Sequence, residues 1–109
     1  MINTPKRLYV NLPGTTITTA YTVPALTTTI VKNIHIANNT SVVSTVTIHL
    51  VPFGQTAANS NKIIASYPVK PNDSISVDLS SVLHSGDTIQ VSQGTASAIS
   101  VYISGVECV

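Results

Sequence analysis

Turn-forming residues interrupt this chain roughly every eight to fifteen residues. They run from Pro13-Gly14 through Pro24, Asn38-Asn39-Thr40-Ser41, Pro71-Asn72-Asp73 and Ser85-Gly86-Asp87 to Gln93-Gly94-Thr95. Links this short cannot hold the helical crossover that joins parallel strands, so any sheet must be antiparallel. The segments between the turns suit strands. Thr, Val and Ile number 15, 14 and 12, so 41 of the 109 residues are β-branched. Such side chains are stiff at χ1 and pack better on a pleated surface than on a helix.

Two segments alternate cleanly. Over 43–51, Val46, Ile48 and Leu50 fall on one face and Thr45, Thr47 and His49 on the other. Over 74–79, Ile75, Val77 and Leu79 alternate with Ser74, Ser76 and Asp78. A period of two marks a strand with one wet face. Strands are expected over 7–11, 16–23, 28–37, 43–51, 62–67, 74–79, 88–92 and 98–106. Residues 1–6 read as a short N-terminal arm of a single domain spanning 1–109. Residues 52–61 read as the longest loop, with one helical turn near 56–58, and 80–84 as a short connection. Pro68 and Pro71 place their surroundings at a sheet edge or in a turn. The inward rows should be Ile34 and Ile36; Val46, Ile48 and Leu50; Ile75, Val77 and Leu79; Ile89 and Val91; and Ile99, Val101 and Ile103. Eight short half-buried antiparallel strands are most simply stacked as two sheets, an all-β sandwich. The pattern leaves jelly-roll and immunoglobulin-like connectivity both open.

Charge is scarce. Asp, Glu, Lys and Arg make up 8% of the chain, against about 25% in an average domain. That excludes a coiled coil, and the 43% hydrophobic content excludes charge-driven disorder. A net charge of +1, with Lys6-Arg7 as the single basic doublet, gives no footprint for nucleic acid. The five glycines, at 14, 54, 86, 94 and 105, are isolated and form no phosphate cradle. No apolar run reaches the ~18 residues of a membrane helix. No apolar stretch follows Met1, so no signal peptide is expected. The lone Cys108 excludes an internal disulfide and a Cys-rich zinc site.

No catalytic, cofactor-binding or metal-ligating set is expected, and the chain reads as no enzyme. The acids Asp73, Asp78, Asp87 and Glu107 are scattered, whereas paired carboxylates must converge. Asp73 and Asp87 sit in turns, where an Asp bonds nearby backbone. His84-Ser85-Gly86-Asp87 holds the residue types of a hydrolytic triad, but neighbours in a turn cannot reach one another as a triad requires. It reads as a β-turn with Gly86 at positive φ. Cys108, next to the chain end, lacks a base to activate it. The sequons at Asn38, Asn39 and Asn72 follow from an Asn/Ser/Thr-rich loop composition. His35 and His49 are the most suggestive pair. If 28–37 and 43–51 form a hairpin, pairing Ile36 with Ile48 and Ile34 with Leu50 puts His35 opposite His49, with Cβ atoms about 5 Å apart. Two imidazoles there would repel on protonation, but zinc wants more ligands than two. Tyr9, Tyr21, Tyr67, Tyr102 and Phe53 are dispersed. A stacking platform for sugars needs some of them exposed beside polar residues.

With the core rows removed, what remains is mostly Thr, Ser, Asn, Gln and Ala. Isolated domains guard strand edges with charge, so this surface reads as one covered in an assembly. Several runs point the same way. They are Ala20-Tyr21-Thr22-Val23-Pro24-Ala25; Thr29-Ile30-Val31-Lys32-Asn33-Ile34-His35-Ile36-Ala37-Asn38; and Val46-Thr47-Ile48-His49-Leu50-Val51-Pro52. Val77-Asp78-Leu79 follows, then Leu83-His84-Ser85-Gly86-Asp87-Thr88-Ile89 and Val101-Tyr102-Ile103-Ser104-Gly105-Val106-Glu107. Over residues 16–107 the chain resembles small β-sandwich virion accessory proteins of tailed bacteriophages. The resemblance implies a jelly-roll-like sandwich made in a host cytoplasm and incorporated in the virion. It implies a capsid decoration (cement) protein bound between shell subunits, or alternatively a tail, neck or fibre module that binds host carbohydrate or another tail protein. The implied partners are further copies of the chain, with a trimer as one count, and other virion proteins such as the major capsid protein. Neither nucleic acid nor membrane is implied.

Overall fold

The computed structural model describes residues 2–109. It contains eight strands: β1 (Asn3–Asn11), β2 (Thr18–Thr22), β3 (Thr28–Asn38), β4 (Ser44–Val51), β5 (Lys62–Val69), β6 (Ser74–Leu83), β7 (Thr88–Gln93) and β8 (Ile99–Cys108). One 3-10 turn, Asn59–Asn61, precedes β5. Two four-stranded antiparallel sheets have the orders β1-β8-β3-β6 and β2-β7-β4-β5. Strand 1 pairs with 8, 2 with 7, 3 with 6 and 4 with 5. The chain is thus one long hairpin, doubled back at the β4–β5 loop. Rolling that hairpin adds the β3–β8 and β4–β7 ladders. This wound connectivity is the jelly roll.

The core lies between the sheets. Ile34, Ile36, Val46, Ile48, Ile89, Val91, Ile99, Val101 and Ile103 are fully buried, and Leu50, Ile75, Val77 and Leu79 pack against them. All thirteen residues of the expected inward rows therefore face the core. Leu8, Val23, Val31, Val69, Leu83 and Ala98 join them.

Three expectations about segments change. Residues 3–6 are no arm but the start of β1, paired with β8 from Asn3 opposite Cys108. Backbone bonds from Ile2 N to Val109 O (2.8 Å) and from Val109 N to Ile2 O (2.9 Å) tie the two chain ends together. Residues 80–83 continue β6 instead of linking it onward, because Val82 and Ser81 still pair with Ile30 and Val31. The helical turn falls at Asn59–Asn61, not 56–58.

The β3–β4 link overturns the largest expectation. The two strands do not form a hairpin; they lie in opposite sheets. Both present an apolar row inward, so stacking the rows face to face buries both, whereas pairing the strands edge to edge leaves one side of each row for another layer. Asn38 fixes the crossover from a buried position. Its Nδ2 donates to Val42 O and Val69 O, both at 2.9 Å, and its Oδ1 accepts from Thr40 N at 2.9 Å. An uncompensated buried amide is costly, so these bonds hold the loop in one arrangement.

Candidate interaction surfaces

His35 and His49 are separated by the whole sandwich. His35 is exposed on the outer face of its sheet, opposite Tyr102 on one side and Ser76 on the other. His49 faces away from the core too, but on the other sheet, where it is 2% exposed because the 52–61 segment folds over it. Asn61 Nδ2 donates to Thr56 O and Asn61 Oδ1 accepts from Ala58 N, which orients the amide. His49 Nδ1, 2.9 Å from that oxygen, is therefore the protonated ring nitrogen. The ring is a structural clamp under a loop. Val51, also buried outside the main core, completes this small second layer. Among the described residues, no three of His, Cys, Asp and Glu come together.

The acids occupy four different settings. Asp73 Oδ1 accepts from Ser74 N at 2.8 Å within its own turn. Asp78, on the outer face of β6, accepts from Asn33 Nδ2 at 2.8 Å. Glu107 faces inward near the chain end and meets Tyr21 and Lys6. Cys108 is half-buried at the end of β8, between Asn3 and Thr28.

Asp87 does more than close its turn. The turn itself forms as the sequence implies: Asp87 N donates to His84 O at 3.0 Å and Gly86 has φ +87°. Its carboxylate also accepts from His84 N at 2.9 Å and from Phe53 N at 2.8 Å. Ser85 Oγ donates to Thr27 O at 2.9 Å and accepts from Thr27 N at 3.1 Å. Val23 N bonds Asp87 O and Gly86 N bonds Val23 O. The β2–β3, β4–β5 and β6–β7 loops are thus bolted into one platform at the end of the sandwich that carries the chain termini.

That platform displays two large apolar side chains. Leu26 is 91% exposed and stands at φ +58°, a left-handed conformation unfavourable for a leucine. Phe53 is 77% exposed, with its ring lying over Gly86, where any Cβ would collide with it. Strain and exposure at such a site point to a purpose outside the isolated fold.

A second surface lies on the outer face of the β1-β8-β3-β6 sheet. The ladder slips at one level in every pairing. Arg7 and Tyr9 pair with Ser104 and Ile103, so Leu8 is an extra residue in β1. Val31 and Asn33 pair with Gly105 and Ser104, so Lys32 is extra in β3. The same two residues pair with Ser81 and Asp78, which leaves Leu79-Ser80 facing Lys32 across β6. Bulges bend strands and re-aim side chains. Gly105 sits where the distortion is tightest, since a Cβ there would run into the Ile30 carbonyl oxygen. Along this line run two shallow hollows of about 450 and 550 Å³ that meet at Lys32. The first holds Lys6, Arg7, Tyr102 and Ser104; the second holds Asn33, Asp78 and Ser80. Tyr102 is 42% exposed, whereas Tyr9 and Tyr21 pack against the core.

No protein-family model, curated protein or solved structure matches this chain.

Neither surface was named from the sequence. The platform had a partial signal in the Ser85-Gly86-Asp87 turn. The trough had none, because a bulge is a property of pairing.

Proposed function

We propose that this chain is a structural protein of a virion, a capsid decoration protein that binds between shell subunits as a homo-oligomer. The observation that carries the reading is the rigid platform with Leu26 and Phe53 outermost. Seating either side chain in a seam removes its apolar surface from water, a gain of about 1.5–3 kcal/mol per residue. The platform is held by its own hydrogen bonds, so little order is lost on docking. The jelly roll, the 8% charged content and the resemblance over 16–107 support the same reading.

Binding of this kind depends on area and on strand-edge hydrogen bonds, with little electrostatic contribution. It should therefore change little with salt. The test is reconstitution: purified protein is mixed with bare phage heads, and co-sedimentation and head melting are measured. Binding that raises resistance to heat or chelation supports the proposal. A protein that stays in the supernatant and leaves the heads unchanged sinks it.

A further inference from the structure

We infer that the trough crossing the outer face of the β1-β8-β3-β6 sheet is a binding site for an acidic saccharide. The inference is independent of the virion reading. Two cationic side chains, Arg7 and Lys32, lie on this face and line the trough, while the ammonium of neighbouring Lys6 turns away to the inward-facing Glu107. Lys6 is paired with Glu107 at 3.3 Å, and Lys32 Nζ donates to Ser80 Oγ at 2.9 Å. Arg7 makes no side-chain hydrogen bond among the described residues. Its guanidinium is the free fork suited to a carboxylate.

The other groups suit the rest of a sugar. Tyr102, 42% exposed, lines the first hollow and offers an apolar ring for the C–H face of a pyranose with a polar tip beside it. Asn33 Nδ2 bonds both Ser76 Oγ and Asp78 Oδ1 at 2.8 Å. That holds the amide oxygen of Asn33 and the second oxygen of Asp78 in place as acceptors for sugar hydroxyls. The charges set the direction: a carboxylate goes to the β1 end beside Arg7, and hydroxyls go to the β6 end beside Asp78. Three inter-strand gaps make the trough about 14 Å long, which suits a short oligosaccharide rather than one ring. An acidic peptide has no counterpart for the aromatic floor or for the Asp78 end, where its own carboxylates would be repelled.

The test uses the full chain with two probes, a trisaccharide of two glucose units ending in one glucuronic acid and the neutral glucose trisaccharide, followed by amide chemical shifts and calorimetry. The acidic trisaccharide should bind, with shifts centred on Arg7, Lys32, Asn33, Tyr102 and Ser104, and the neutral trisaccharide should bind at least about tenfold more weakly. Tyr102→Ala should weaken binding about three- to tenfold, while Tyr102→Phe retains most of it. Both changes are at an exposed position, and Arg7→Gln provides an independent variant that removes preference for the acid. Equal binding of both trisaccharides, shifts centred elsewhere, no binding, or equal binding of inorganic polyphosphate overturns the proposal. None of these results alters what reconstitution on heads would report.

Discussion

Tyr21 and Glu107 join the two sheets: the phenol of Tyr21, on β2, donates to the carboxylate of Glu107, on β8. Thr29 Oγ1, 2.9 Å from the same phenol, and Lys6 Nζ, 3.3 Å from the carboxylate, extend the contact to β3 and β1. Burial, then the Glu107 carboxylate, push the Tyr21 phenol up to about 12 from its ordinary 10. The folded chain therefore keeps a proton that the unfolded chain loses near pH 10. The resulting stability is fully present below pH 10 and is lost as pH rises toward 12. Tyr9, raised by burial alone, adds to the same trend.

Tyr21→Phe should cost about 1.5–3 kcal/mol at neutral pH, where a hydrogen bond to a charged acceptor is lost. It should also flatten the fall in stability between pH 10 and 12. Urea unfolding at a series of alkaline pH values measures both. An alkaline slope equal to that of the unchanged chain would show that Tyr21 is not the group responsible.

Asn61 holds the 52–61 segment down on β4 through His49. Asn61→Ala leaves a buried imidazole N–H without its acceptor, at a cost of about 1–3 kcal/mol. It also removes the contacts to Thr56 O and Ala58 N. Hydrogen exchange should therefore quicken across 52–61 while the β3–β8 ladder stays protected. Uniform acceleration over the whole chain would mean that the loop is part of the global unit and not a separately opening layer.

These cases show which features are local enough to read from sequence. Ile75, Val77 and Leu79 alternate without interruption, so their face was legible. Leu8 and Tyr9 are adjacent, yet one is buried and the other packs against the core, because the β1 bulge turns two successive residues inward. No alternation rule finds such a pair. The partner sheet of β4 was equally hidden. Its apolar row fits beside β3 or across from it, and the choice depends on Asn38 and on the later strands that claim the neighbouring edges. His35 and His49 looked paired for that reason alone.

The line of bulges gives a sharp prediction at Gly105. Its backbone lies against the Ile30 carbonyl, and Leu8 Cδ1 is 3.2 Å from where a Cβ would stand. Gly105→Ala must push β3 or β8 aside, since backbone cannot yield as a side chain can. A loss of about 2–3 kcal/mol is expected from such overpacking. Gly14→Ala, where an added Cβ would meet nothing nearer than 3.9 Å, should cost far less. Thermal unfolding of the two variants makes the comparison, and equal losses would mean that the sheet absorbs the Gly105 clash freely.

Leu26 separates folding from function most directly. Its left-handed backbone suits Asn better than Leu, because a short polar side chain bonds locally in that region. Its side chain is 91% exposed, so no core contact is lost on replacement. Leu26→Asn should therefore leave the isolated protein as stable or raise it by about 0.5–1 kcal/mol. The same change removes half of the apolar pair on the platform and should weaken head binding markedly. Phe53→Ser should weaken binding as well, but it uncovers Gly86 and gives no such gain in stability. A rise in Tm together with a loss of co-sedimentation would mark Leu26 as a residue kept for docking against the interest of the fold. A fall in Tm with unchanged binding would reverse that assignment, since Leu26 would then be supporting the β2–β3 turn and the shell contact would have to lie on another surface.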